Sequence, residues 1–207
     1  MDENTIKTMM STGKDDYGTP QWLFDYLDSV FHFNIDLAAS KWNKKVKKFY
    51  SVKDNSFKKR WVGNCWLNPP YSKPQTKCSV DCSKPVCNRR GYHLTHNRPG
   101  LINWVEAAHR KSERYKSTVV CLVPSRTDTK WFEIVWEYSI LVCFIKGRLK
   151  FCSKNEKNDF SAPFPSCLTI FSGNKNIEIE KIENKLKTIG CVVKNEFRNY
   201  GIGFSKC

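Results

Sequence analysis

The sequence predicts an α/β domain with a mainly parallel sheet and helices on both faces. Short apolar runs alternate with segments whose apolar residues recur at helical spacing. Several of the strand-like runs stop abruptly in prolines, small residues or an acid, at the kind of edge where open α/β sheets hold ligands. A chain of 207 residues, 40% hydrophobic and 14% aromatic, is long and apolar enough for one domain with a sizeable core.

Residues 1–16 are polar and are expected to be loose. Gly18-Thr19-Pro20 introduces a helix over residues 21–31, with Trp22, Leu23, Tyr26, Leu27 and Val30 at helical spacing. Thr19 suits the N-cap and Pro20 the first helical position. Phe33 to Ser40 reads as a strand whose carboxyl end carries Asp36 and then the small residues Ala38 and Ala39. Lys41 to Lys48 is strongly basic and reads as solvated surface. A second strand ends at Asn68-Pro69-Pro70-Tyr71, and an insertion rich in Cys, His, Lys and Arg follows over residues 73–99. Regular patterning resumes with a helix over 101–115 and a strand over 118–123. A short helix over 131–138 and a buried strand over 140–145 come next. Residues 146–151 read as a turn into an edge strand, 152–164 as a polar loop, and 166–171 as a further strand. Ile179, Ile182, Leu186 and Ile189 mark an amphipathic helix before a last short strand at Val192-Val193. No internal repeat is present. The expected organisation is a folded domain over 17–172, interrupted at 73–99, with a basic helix and strand extension over 173–207.

Lys and Arg number 35 against 20 acidic residues, a formal net charge of +15. Such an excess favours a polyanionic partner, of which nucleic acid is the commonest. A membrane is not expected: the longest apolar run, 140–145, is far too short to span one, and the polar amino terminus is not a signal peptide. Nor is an obligatory protein partner evident. Of the ten cysteines, Cys65, Cys121 and Cys143 lie in apolar strands, where cysteine acts as a small core residue. The expected compartment is a reducing cytoplasm, that of a host if the chain is viral.

The stretch Asn68-Pro69-Pro70-Tyr71 carries the most chemistry. Each proline fixes its own φ and holds the preceding residue extended, which gives a stiff, curved backbone at the strand end. The Asn68 amide oxygen and the Pro69 main-chain oxygen are two adjacent acceptors that fit the two hydrogens of a planar amino group. The Tyr71 ring offers a face on which a base can stack. The plainer reading, a proline-rich turn, is comparable on four residues alone.

That stretch resembles the Asn-Pro-Pro-Tyr catalytic motif of amino-group methyltransferases that use S-adenosylmethionine. The order of blocks in the chain resembles one family closely, the phage-type DNA N6-adenine methyltransferases (Dam family). The matching segments are Thr19-Pro20, residues 36–39, residues 66–71, 124–132 and 144–151, with 162–166 also fitting. The resemblance spans about residues 17–172. It implies a Rossmann-like S-adenosylmethionine-dependent methyltransferase fold with a small Cys/His-rich insertion. It also implies transfer of a methyl group to adenine N6 in DNA, with the target base flipped out. Asn68, Pro69, Pro70 and Tyr71 stand at the family's catalytic motif. Asp36, Ala38 and Ala39 stand where the family binds the methionine part of the cofactor. Thr19 and Pro20 are also placed for the cofactor, and Asp54 for its adenosine. The chain departs from the pattern in lacking a glycine-rich loop after the first strand and a clear acidic ribose ligand after a second. The short span from Asp36 to Asn68 also requires the intervening helix and strand to be reduced.

Arg126, Lys146, Arg148 and Lys150 are candidates for DNA contacts near the pocket mouth, against a plainer reading as ordinary surface charge. In the insertion, Cys78, Cys82, Cys87 and His93 are separated by three, four and five residues, with His96 a spare fourth ligand. Soft sulfur donors with imidazole suit one structural zinc ion, and binding it would order a loop that has almost no apolar surface. Cys82, Cys87 and His93 resemble a Cys/His-bearing insertion of some family members, which favours His93. Arg89, Arg90 and Arg98 would then flank the DNA. Other readings keep the fold and change the acceptor, to cytosine N4, RNA adenine or a glutamine amide. A different class is a non-catalytic zinc-bearing DNA-binding module.

Overall fold

The computed structural model describes residues 17–79, 81–152 and 160–195. Residues 1–16, expected to be loose, lie outside the described residues, as does the extension beyond 195. The elements in order are α1 (Gln21–Phe31), β1 (Ile35–Asp36), β2 (Asn64–Leu67), α2 (Pro85–Arg90), α3 (Leu101–Tyr115) and β3 (Thr118–Pro124). They continue with α4 (Lys130–Tyr138), β4 (Leu141–Ile145), β5 (Lys150–Phe151), β6 (Phe160–Ser161), β7 (Ser166–Ser172), α5 (Ile179–Lys187) and β8 (Gly190–Lys194). Only two short 3-10 turns, Val52–Asp54 and Ser56–Lys58, lie between β1 and β2, so that span is reduced as expected.

The main sheet has the order β1-β2-β3-β7-β4-β8. It is mixed. Pairing is parallel across β1, β2 and β3 and antiparallel at β3–β7, β7–β4 and β4–β8, so the expected mainly parallel pairing holds in only one half. The physical reason lies between β4 and β7. A parallel return needs a crossover of a dozen or more residues, usually helical, and no helix stands there among the described residues. Instead β5 and β6 pair with each other in a separate two-stranded sheet, and β7 enters the main sheet reversed. The expected edge strand at 150–151 therefore belongs to this small sheet, and Phe160-Ser161 is a strand inside the expected loop. The last strand, β8, pairs with β4 at the margin of the main sheet, so the end of the described chain is built into it.

The core has two layers, one on each face of the sheet, because successive strand residues point to opposite sides. Trp66, Val120, Leu122, Cys143, Leu168 and Ile170 pack with Leu23, Phe24 and Leu27 of α1 and with Ile182 and Leu186 of α5. Cys65, Leu67, Val119, Cys121, Val123 and Phe171 pack with Trp104, Val105 and Ala108 of α3 and with Phe132 and Val135 of α4. Burial pushes the thiols of Cys65, Cys143 and Cys167 up to about 12, so they are neutral core groups. No helix among the described residues is long and apolar enough to cross a membrane.

Strand direction places the chemistry. β3 and β4 both run antiparallel to β7 and therefore point the same way, as do β1 and β2. The carboxyl ends of β1, β2, β3 and β4 thus share one edge. Asp36, Asn68, Arg126 and Lys146 stand along it.

Candidate active site

Asn68 follows the last residue of β2 and is held by three partners. Its Nδ2 donates to the Tyr17 carbonyl at 2.6 Å and to the Thr19 hydroxyl at 3.0 Å. Its Oδ1 accepts from the Tyr71 hydroxyl at 2.8 Å. A side-chain amide has two N–H donors and two oxygen lone pairs. Both donors are therefore used, and one lone pair of Oδ1 is left over. Pro69 behind it is buried, and Pro70 is half-buried.

Tyr71 does more than the sequence reading assigned to it. Besides Asn68, its hydroxyl lies 3.2 Å from the Leu122 carbonyl. Burial holds this phenol well above its usual pKa, so it remains a donor. One ring face is covered by Tyr17, with centroids 5.4 Å apart and planes inclined by 25°. The Tyr17 ring is in turn boxed by Phe151, Phe160 and Phe164, with centroids 5.3 to 5.5 Å away. Sequence reasoning missed Tyr17, which stands just outside the first helix. The available signal was a lone aromatic directly before Gly18-Thr19-Pro20.

Residues 17–19 form a strap across the motif. Gly18 and Cys152 exchange two main-chain hydrogen bonds, of 2.8 and 2.9 Å. A Cβ at Gly18 would lie 2.8 Å from the Cys152 carbonyl and 3.1 Å from Trp42, so only glycine lets the strap lie this close. Thr19 does not cap α1 as expected. The helix starts at Gln21 with Pro20 in the cap position and no side-chain cap, because the Thr19 hydroxyl is engaged with Asn68.

Asp36 ends β1 and is only 3% exposed. Its two oxygens accept from the main-chain N–H groups of Ala38 at 3.3 Å and Lys45 at 3.1 Å. Burial raises its pKa from 3.8 to about 6, against the pull of those hydrogen bonds and of the Lys45 charge. The raised value favours the neutral acid in the folded state. Its contribution to stability is therefore greatest below pH 3.8, falls as pH rises to about 6, and stays low above that. The ionised group costs the fold roughly 3 kcal/mol at neutral pH. A buried carboxyl perturbed in this way is a candidate functional group. Ala39 beside it is buried and Ala38 half-buried. Asp54 is exposed, and its carboxylate accepts from the main-chain N–H and hydroxyl of Ser51, which lowers its pKa and fixes the turn in which it sits.

Arg126 and Lys146 lie just beyond β3 and β4, Arg148 in the turn that follows, and Lys150 opens β5. Arg126 is half-buried with its guanidinium 5.9 Å from the centre of the Phe164 ring. Lys146, Arg148 and Lys150 are exposed, and Arg148 reaches the Ala162 carbonyl at 3.4 Å.

The insertion leaves the same edge directly after Tyr71. Its neck is closed by paired main-chain hydrogen bonds between Gln75 and Arg98, of 2.9 and 2.8 Å, and by Leu101 N–H to the Ser72 carbonyl at 2.9 Å. Beyond the neck, the ligand atoms of Cys78, Cys82, Cys87 and His93 all lie within 4.8 Å of one another. Cys87 Sγ is 3.4 Å from Cys78 Sγ and 3.5 Å from Cys82 Sγ. The Leu94 main-chain N–H donates to Cys78 Sγ at 3.2 Å and is the main reason its thiol is pulled down to about 6. His96 instead contacts the Thr95 hydroxyl and stays outside the cluster. The side chains of Arg89 and Arg90 lie outside the described residues. A cavity of about 380 Å³ opens elsewhere, beside the amino-terminal ends of β1 and β2, lined by Asn34, Lys48, Tyr50 and Arg60 among others. It contains none of the motif residues.

The chain is similar to the DNA N-6-adenine-methyltransferase of Haemophilus phage HP1 (strain HP1c1), at 32% identity over 112 residues. That match covers 53% of this chain and 65% of the relative. It is also similar to the DNA N-6-adenine-methyltransferase of Escherichia phage T1, at 42% identity over 64 residues, covering 30% of this chain and 27% of the relative. The chain thus spans less than two thirds of either phage protein. The family model described as DNA N-6-adenine-methyltransferase (Dam) matches residues 6–201, nearly the whole chain. The chain belongs to the DNA N-6-adenine-methyltransferase (Dam) family.

Proposed function

We propose that this protein methylates the N6 amino group of adenine in DNA, using S-adenosylmethionine and a flipped-out target base on a Rossmann-like scaffold. The observation that carries the reading is the Asn68 amide, fixed by three hydrogen bonds with one oxygen lone pair left for an amino group. Adenine N6 is a poor nucleophile because its lone pair is delocalised into the ring. Asn68 Oδ1 and the Pro69 carbonyl accept its two hydrogens and draw the nitrogen toward tetrahedral geometry. The lone pair is then localised and aimed, so the residues accelerate the reaction by positioning and electrostatics. No strong general base is required, since the alkylated nitrogen loses its proton readily.

The cofactor supplies an electrophilic methyl group. Asp36 fits it: a buried carboxylate beside small residues, at the sheet edge that carries Asn68, complements a cationic amino-acid group. Thr19, Pro20, Ala38, Ala39 and Asp54 complete the proposed cofactor contacts. Binding a cation favours the ionised form of Asp36, so cofactor affinity should rise with pH through about 6 and level off above it. Calorimetry in buffers of different ionisation enthalpy should show uptake of the cofactor releasing a fraction of a proton near pH 6, up to about one at lower pH. Affinity unchanged between pH 5 and 7 would remove Asp36 from the cofactor site.

DNA is the proposed substrate, with Arg126, Lys146, Arg148 and Lys150 at the mouth of the site. With a charge of +15, binding should weaken steeply as salt rises. Arg126→Ala and Arg148→Ala should each weaken DNA binding with little change in cofactor affinity, and a salt-independent binding constant would contradict the assignment. Labelled S-adenosylmethionine supplied with unmethylated DNA, RNA or protein tests the acceptor. Label in DNA adenine is expected, whereas label confined to cytosine, RNA or protein overturns it.

One structural zinc ion is proposed for Cys78, Cys82, Cys87 and His93. Zn–S bonds of about 2.3 Å set tetrahedral sulfur–sulfur edges near ~3.8 Å. The observed 3.4 and 3.5 Å are close to that edge. The Leu94 N–H on Cys78 is the outer hydrogen bond expected to support a thiolate ligand.

A further inference from the structure

We infer that Thr19 is a positioning residue for Asn68, rather than only a neighbour of the cofactor; the inference rests on the methyl-transfer reading above. An amide can sit in either of two orientations related by a half-turn, and only one presents oxygen to an amino group. The Tyr17 carbonyl has no proton to donate, so whatever faces it at 2.6 Å must be the amide nitrogen. The Thr19 hydroxyl, 2% exposed and 3.0 Å away, takes the second N–H. The Tyr71 hydroxyl donates from the other side. The strap thus holds Nδ2 from behind and leaves Oδ1 facing the substrate. With the Thr19 oxygen removed, one buried N–H loses its partner and the amide gains freedom to rotate away from the productive orientation. Gly18 makes the arrangement possible by letting the strap lie against Cys152.

Thr19→Val keeps the shape and removes the oxygen, while Thr19→Ser keeps the oxygen. The enzyme should show kcat reduced about tenfold in Thr19→Val, a larger change than in KM for S-adenosylmethionine or in its calorimetric affinity. Thr19→Ser should restore most of the turnover. A raised cofactor KM with unchanged kcat in Thr19→Val overturns the positioning role, and so do equal losses in Val and Ser. Asn68→Ala serves as the control. Lost turnover in Asn68→Ala beside full turnover in Thr19→Val defeats this inference alone. Full turnover in both defeats the methyl-transfer reading beneath it.

Discussion

Asn68→Ala should lower turnover by on the order of 10²–10³ while the protein stays folded and binds its cofactor nearly as before. The large effect follows from where the lost acceptor acts. In the proposed reaction it is aimed at the reacting nitrogen, so it would contribute more as the transition state forms than to ground-state binding. The fold should survive the change because Asn68 lies beyond the end of β2 and outside its strand pairing, although its three side-chain hydrogen bonds are lost. Tyr71→Ala should also lose most activity. Sequence reasoning alone expects Tyr71→Phe to be nearly neutral, since stacking needs only a ring. The hydroxyl bond to Asn68 Oδ1 changes that expectation to an intermediate loss, in kcat rather than in DNA affinity. Near-normal turnover in purified Asn68→Ala would sink the catalytic assignment.

Zinc content is the second large effect. Purified protein should contain about one zinc per chain, and Cys82→Ser or Cys87→Ser should lose it. Among the described residues of 73–99, Cys87 and Leu94 are the buried apolar groups and neither belongs to a core cluster, so burial of apolar surface does little to order the insertion. A bound zinc ion would supply that free energy, and a strong chelator should then loosen the insertion while the sheet stays folded. Trypsin gives a direct readout. The insertion carries six Lys or Arg residues against one acid, so it offers many cleavage sites once it opens. Rapid cutting there after chelation, with the rest of the domain intact, is expected. A metal-free insertion that resists trypsin, or full zinc retention in both variants, rules the site out.

The sequence alone determined the elements whose signals are local. The helices at 21–31 and 101–115 were legible because their apolar residues repeat at helical spacing. The stop after β2 was legible because prolines restrict the backbone without help from the rest of the fold. The three cysteine candidates for zinc were legible from spacing and from a surround too polar to pack, whereas His93 was preferred to His96 only through the family resemblance. Other features depended on contacts between distant residues, which no local pattern encodes. Reversal of β7 follows from a small β5–β6 sheet whose second strand looked like loop, since two residues carry almost no periodic signal. Thr19 read as a helix cap because its sequence neighbours favour one, but its hydroxyl bonds a residue 49 positions away. Tyr17 carried no local sign that its ring would lie on Tyr71 and its carbonyl on Asn68. The sequence thus determined which groups could do the chemistry. Only the tertiary structure decided which way the Asn68 amide faces, because its three hydrogen-bond partners come from the strap and from the motif itself, on separate stretches of chain.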